Sequence, residues 1–183
     1  MDQIRIETPR LFLRPIELTD SAAILKYKSD REANQFQGWI PSTLEDVHYF
    51  INHRVSPEID RPGTWFQMVI ARKNSGELIG DIGIHFPEEQ PSHVELGITL
   101  DKAQQGQGFA SEALREVISY LFLKLDKLKI IASIDPRNES SIKLFQRLGF
   151  VQEALYEKSL FLNGEWVDDW VMGLAKDELN SAK

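Results

Sequence analysis

The sequence contains no cysteine. That absence excludes disulfides, thiolate nucleophiles, cysteine-ligated zinc and iron–sulfur clusters. Long apolar runs are missing as well. The longest, such as those at residues 68–71 and 120–123, are four residues each, against the ~20 that a membrane-spanning helix needs. Neither a membrane segment nor a secretory signal is expected, and the chain reads as cytoplasmic. Positive charge is scarce, with 21 Lys and Arg against 28 Asp and Glu and a net charge of −7. Binding that rests on neutralising phosphates needs a positive field, so a nucleic-acid partner is not expected. The balance suits a cationic or amine-bearing partner instead. The four histidines, 48, 53, 85 and 93, lack a third ligand at suitable spacing. His48 and His53 lie five apart on a helix and do not share a face, so no metal site is expected.

What is present is enough for one core. The chain has 183 residues, 42% of them hydrophobic, and no repeat or long linker divides it. A single domain over 1–179 with a loose tail at 180–183 is the expected organisation. Residues 4–16 alternate apolar and polar side chains and read as one strand, placed at a sheet edge or bent by Pro9 and Pro15. Asp20 is expected to cap a first helix at 21–29. Ser42-Thr43-Leu44-Glu45 reads as a capping box opening a second, whose Val47, Phe50, Ile51 and Val55 form one apolar face. Residues 65–71, 78–86 and 94–100 are strand-like, and the short turns between them imply an antiparallel meander. A long amphipathic helix follows, with Ala110, Leu114, Val117, Ile118, Leu121, Phe122 and Leu125 on its apolar stripe. Then come a buried strand at 129–134 and a short helix capped by Asn138 and closed by Gly149-Phe150. Strands at 151–162 and 165–174 end the chain, and Asn163-Gly164 between them signals a type I′ turn. The pattern implies an α/β (α+β) fold: a mixed, mostly antiparallel central sheet of about seven strands flanked by about four helices.

Residues 101–114 join a strand to the long helix through Gly106-Gln107-Gly108. Glycines there let backbone amides surround an anion, and the helix N-terminus adds unpaired N–H groups, so a pyrophosphate is the natural ligand. The alternative is a flexible turn. A phosphate loop of the Gly-Lys-Ser/Thr type is absent. A Rossmann fingerprint fails because Ser111 stands where the third glycine belongs and three meander strands come first.

What remains is Gln105-Gly106-Gln107-Gly108-Phe109-Ala110, which fits Gln-x-x-Gly-x-Ala. Here the chain resembles the GNAT superfamily of acetyl-CoA-dependent N-acetyltransferases, in which this motif holds the coenzyme A pyrophosphate on backbone amides. The resemblance spans nearly the whole chain. The stretch from Glu7-Thr8-Pro9-Arg10 to Arg14-Pro15 is similar to the opening strand of the branch that acetylates ribosomal-protein N-termini. Residues 77–84 and 94–98 resemble the third and fourth strands, and 138–150 resembles the final coenzyme-binding helix. The resemblance implies an N-acetyltransferase fold that takes acetyl-CoA as co-substrate and needs no metal. It implies an amine acceptor such as a peptide N-terminus, a polyamine, an amino acid or an antibiotic, with a homodimer as a family expectation. The reading from another class is a non-catalytic acyl-CoA-binding module.

Acetyl transfer requires a neutral amine beside the thioester, stabilisation of the oxyanion and departure of a thiolate. An alkylammonium of pKa about 10.4 is mostly protonated at neutral pH, so a base is useful. Strand alternation puts Asp81 and His85 on one face of their strand and His93, Glu95 and Thr99 on one face of the next. With His85 opposite His93, Glu95 would face Gly83, and the polar groups would form one stripe. That stripe is either a solvated sheet face or a reactive one, and the resemblance favours Glu95 as the base. It also implies that backbone near Ile98 stabilises the oxyanion and that the pantetheine arm pairs with strand backbone at Ile98 and Leu100. Many members carry a tyrosine on the last helix to protonate the thiolate, but the matching position here is Phe145. Either Ser141, one turn earlier, takes that role, or no acid is needed, because a thiol of pKa about 8.5 leaves readily. Asn138, Ser141 and Phe145 are expected to face the coenzyme, Asn138 also serving as a cap. Trp39, Asp81 and His85 are the expected acceptor-side residues. Trp65, Tyr156 and Trp166 are further aromatics for either an acceptor wall or packing.

Overall fold

The computed structural model describes residues 4–178. The expected tail at 180–183 lies outside the described residues. Eight strands form one sheet in the order β1-β2-β3-β4-β5-β6-β8-β7. The strands are β1 (Ile6–Glu7), β2 (Leu11–Pro15), β3 (Thr64–Arg72), β4 (Leu78–Phe86), β5 (His93–Leu100), β6 (Lys129–Ile134), β7 (Val151–Leu162) and β8 (Glu165–Ala175). The helices are α1 (Ser21–Lys28), α2 (Leu44–His53), α3 (Phe109–Leu123) and α4 (Glu139–Arg147). Only the β5–β6 pair is parallel, as a β-α-β crossover between neighbouring strands requires; a second crossover, β6-α4-β7, passes over β8. The mixed α/β sheet matches the fold read from the sequence, with one strand more. The opening segment reverses at Thr8-Pro9-Arg10, where the Thr8 amide donates to the Leu11 carbonyl at 3.0 Å. It therefore makes a short hairpin, Ile6 pairing with Leu13.

Alternation along the strands divides the core. Met68, Ile70, Ile82, Ile84, Val94 and Leu96 pack with Ala113, Leu114, Val117 and Leu121 of α3 and Ile142 and Phe145 of α4. Val69, facing the other way, joins Ile24, Tyr27 and Val47 in a smaller cluster beneath α1 and α2. The two faces do different jobs. The α3/α4 face is dry core, while the α1/α2 face is partly polar and leaves a cavity.

Several local expectations change. Asp20 makes no capping hydrogen bond to α1; its carboxylate takes both amino groups of Arg14 at 2.7 Å and the Glu17 amide at 2.8 Å. An ion pair outcompetes the cap because both partners are largely shielded from water. The box that opens α2 is shifted by one residue: Thr43 is the cap and Asp46, not Glu45, reaches back. Val55 lies past the end of α2 and bridges to Trp65. The C-terminal signals hold. Gly149 adopts φ +93°, its amide bonds the Gln146 carbonyl, and the Phe150 amide bonds the Phe145 carbonyl. That is a Schellman cap, completed by edge contact between the rings of Phe145 and Phe150 at 4.9 Å.

Candidate active site

The strand register sets the site. Gly83 pairs with Gly97, His85 with Glu95 and Asp81 with Thr99. The expected His85–His93 pairing is thus displaced by two residues. A slip of two keeps every side chain on its face, so polarity alone cannot choose between the registers. His93 leaves the stripe and bonds Gln90 through Nδ1 at 2.7 Å.

β5 and β6 pair only over His93, Val94 and Glu95. Beyond Glu95 the strands part, and no strand among the described residues covers that edge of β5. Glutamine side chains reach this stretch instead: Gln37 Nε2 donates to the Ile98 carbonyl at 3.4 Å and Gln105 Nε2 to the Leu100 carbonyl at 3.2 Å. A strand-like ligand pairing along this edge would replace these glutamine contacts at Ile98 and Leu100.

At the far end of the opening, Gly106 and Gly108 hold φ of +75° and +81°, a region that side chains with a Cβ rarely adopt. Gly108 is the residue from which α3 starts. No protein hydrogen bond among the described residues engages the N–H groups of Gly106, Gln107 or Gly108. The first turn of α3 adds further unpaired donors and the positive end of the helix dipole. This cradle fits an anionic diphosphate. Phe109 is buried and anchors the helix start. Ala110 is half-buried, and Gln107 Nε2 folds back onto the Ala103 carbonyl at 3.2 Å.

Arg10 fixes this loop and had no signal of function in the sequence. Its Nε pairs with Glu112 at 2.6 Å, its Nη1 donates to the Gln107 carbonyl at 3.0 Å, and its guanidinium lies over the Phe109 ring at 4.4 Å. Partial burial acts against ionisation of Glu112, but hydrogen bonds from Thr8 and from Arg10 outweigh it and hold the carboxyl below its usual range. The helix start is thus tied to the opening hairpin at a point where the two are about a hundred residues apart in sequence.

On the α1/α2 face a cavity of about 970 Å³ opens over β3, β4 and β5. Trp39 and Trp65 wall it, Gly83 and Gly97 form its floor, and Ile98 and Thr99 carry it to the edge of the strand opening. Trp39 stacks on Phe50 at 4.2 Å, which fixes its ring. A Cβ on Gly97 would meet nothing within 4 Å; the floor there is bare backbone. Asp81 is 2% exposed. It accepts from Tyr27 Oη at 2.6 Å and from Gln67, and pairs with Lys28 at 3.2 Å. Lys28 also donates to Thr99 Oγ1 at 3.0 Å. Burial, then the charge of Asp81, pushes the Tyr27 hydroxyl well above its ordinary pKa. The sequence pattern marks Asp81 and Thr99 of this cluster, and not Tyr27, Lys28 or Gln67.

His85 and Glu95 lie two residues further along the ladder from the Gly83–Gly97 pair, on the same sheet face, and do not themselves line the cavity. Nδ1 of His85 is 3.6 Å from Oε2 of Glu95, and the imidazole stacks on Trp65 at 4.8 Å. Burial pushes the Glu95 carboxyl above its usual range, His85 opposes this, and the charge of Asp169 adds to it. Tyr156 and Trp166 are exposed on the β7–β8 hairpin and do not line the cavity. On α4, Asn138 accepts from the Ser141 amide at 3.2 Å. Ser141 is half-buried with its hydroxyl unpaired among the described residues, while Phe145 is 3% exposed and committed to the core and the helix cap.

The model of the acetyltransferase (GNAT) domain matches residues 10–151, and the chain belongs to this family of acetyl-CoA-dependent N-acetyltransferases. An uncharacterized N-acetyltransferase of Bacillus licheniformis, p20, is 33% identical over 178 residues, covering 93% of this chain and 96% of its own. The L-amino acid N-acetyltransferase AaaT of Escherichia coli is 31% identical over 121 residues, 64% of this chain and 72% of its own. Among solved structures, a GNAT-family acetyltransferase from Bacillus anthracis superposes with a TM-score of 0.82 at 24% identity, covering 96% of this chain and all (100%) of that one. A spermidine N-acetyltransferase from Vibrio cholerae in complex with CoA and spermine gives 0.78 at 20% identity, covering 93% and 98%.

Proposed function

We propose that this enzyme transfers acetyl from acetyl-CoA directly to a primary amine, with both substrates bound at once. The observation that carries this reading is the meeting of two openings on one strand. Gly97, Ile98 and Thr99 line the cavity, and the same stretch borders the gap where β5 and β6 part.

In this reading the amides of residues 105–110 and the start of α3 bind the diphosphate of the coenzyme. Backbone at Ile98 and Leu100, released from Gln37 and Gln105, aligns its pantetheine arm, and the amide nitrogen of Asn138, the cap of α4, adds a contact. The thioester carbonyl then lies at Ile98, whose N–H stabilises charge developing on its oxygen. Trp39 and Trp65 guide the acceptor across the Gly83–Gly97 floor. Glu95 takes the ammonium proton, directly or through water; a carboxyl raised by burial is a better base near neutral pH than an ordinary one. The amine nitrogen bonds to the acetyl carbon as the carbon–sulfur bond breaks, and its second proton is released to water, which restores any proton that Ser141 passes to the sulfur. The thiolate accepts a proton from the hydroxyl of Ser141 or leaves unaided, since Phe145 has none to give. Holding both substrates at one strand supplies much of the rate through orientation alone. No residue is acylated on this route, which agrees with a chain that has no cysteine.

The test is thiol release from acetyl-CoA with and without a panel of primary amines. The reading expects release that depends on the amine, with an N-acetylated product of matching amount. Coenzyme binding without turnover on any amine would oppose it.

A further inference from the structure

The acceptors named for similar proteins include an L-amino acid and a polyamine, so the choice must come from the cavity itself. We propose that the amine taken by this cavity carries a carboxylate a few atoms away, and that Lys28, Arg54 and Arg61 recognise it. This rests on the acetyl-transfer reading above.

The charges lining the cavity are opposite in balance to those of the whole chain. The net charge is −7, yet the lining holds Lys28, Arg54 and Arg61 against a single carboxylate, Asp81. That carboxylate is already occupied by Tyr27, Gln67 and Lys28. Three of its roughly four acceptor sites are used, and its charge is already balanced by Lys28. No ion pair among the described residues engages Arg54 or Arg61. Glu88 lies beside Gly63, its Oε2 3.5 Å from where a Cβ would be, and does not line the cavity.

Lys28 is 6% exposed. Two of its ammonium hydrogens serve Thr99 and Asp81, and the third is free to meet a ligand in the cavity it lines. Its position also sets a length. Thr99, which Lys28 touches, is two residues along β5 from Gly97, roughly 7 Å at the usual rise of a strand. A carboxylate bonded to Lys28 therefore leaves room for only a few atoms before the amine reaches the bare floor beside Glu95. A polyamine entering the same space would bring its second cation against Arg54 and Arg61 and meet only a carboxylate already paired with Lys28, and like charges in a partly dry site are strongly disfavoured. A free amino acid and an acidic residue opening a peptide both present the required pair of groups.

The experiment compares kcat/KM, referred to the neutral form of each amine, for acceptors with and without the carboxylate: a free amino acid against its amide, a short peptide beginning with Asp or Glu against its Asn or Gln counterpart, and spermidine. The acid is expected to exceed the amide by about tenfold or more, the worth of one hydrogen bond between charged groups. Whether the larger preference appears with the free amino acids or the peptides identifies the source. Replacing Arg54→Gln and Arg61→Gln together should shrink the preference severalfold with an unchanged melting temperature, since both side chains are exposed. Lys28→Met would strand Asp81, so the outer pair carries the test. Equal rates for acid and amide, or a preference for spermidine, would overturn the proposal. Should no amine release thiol, the acetyl-transfer reading fails separately. Calorimetric binding of N-acetyl amino acids against their amides then still reads the inference: selective binding of the acids upholds it, and equal binding overturns it.

Discussion

Glu95 faces His85 directly across the β4–β5 ladder, its Oε2 3.6 Å from Nδ1. Burial raises the Glu95 carboxyl, and His85 only partly offsets that. Activity should therefore fall on the acid side through a raised carboxylate pKa. Glu95→Gln should lower kcat about a hundredfold and abolish this acid limb. A pH–rate profile of the variant with the limb intact would remove Glu95 from the role of base.

The same shift has a consequence for stability of opposite sign to its use in catalysis. A carboxyl raised by folding binds its proton more tightly in the native state, so its contribution declines as pH rises through the native pKa. Glu95→Gln should thus raise the melting temperature at pH 7 to 8. The gain should vanish below about pH 4, where the unfolded carboxyl, near 4.3, is protonated as well. Thermal melts across that range check it.

Gly108 starts α3 in a conformation that costs most other residues about 1–2 kcal/mol. Gly108→Val should weaken coenzyme A binding about tenfold or more, by distorting the cradle and crowding Arg10, whose Nη2 is 3.4 Å from the new Cβ. Calorimetry with coenzyme A measures this. Gly106→Val should behave alike, although nothing lies near its Cβ, because the backbone angle is at issue there.

Gly80 supplies a structural contrast. A Cβ at this position would lie 2.3 Å from the Thr99 carbonyl oxygen, which is backbone and does not yield. Gly80→Ala should destabilise the protein by roughly 1–3 kcal/mol, read as a lower denaturation midpoint at an unchanged slope.

Much of this fold was legible because its signals are local. The type I′ turn at Asn163-Gly164, with φ of +49° and +92°, and the cap at Gly149-Phe150 depend on a few adjacent residues. The glycine loop likewise announced an anion cradle. What stayed hidden depends on distant partners. Thr8 and Arg10 meet Glu112 only after the opening segment folds back on itself. The capping box of α2 was shifted because Ser42–Glu45 and Thr43–Asp46 are overlapping candidates of equal chemistry. Tyr27 and Lys28 sit on a short helix without a clear apolar stripe, so nothing in its pattern marked two buried polar side chains beneath it. The sign of the cavity was hidden for a similar reason. Lys28, Arg54 and Arg61 come from separate segments, and a net charge averages over all of them.

The central claim is that acceptor and coenzyme meet over the bare backbone of Gly97. Gly97→Val tests it most directly, because a side chain here would meet open space within the cavity and no neighbour within 4 Å. Strands favour valine over glycine, so the melting temperature should hold or rise. Thiol release and coenzyme A affinity should be measured together on this one variant. The account predicts kcat/KM for the amine about tenfold or more below wild type with coenzyme A affinity retained. Full activity with every amine accepted by the wild type would contradict it.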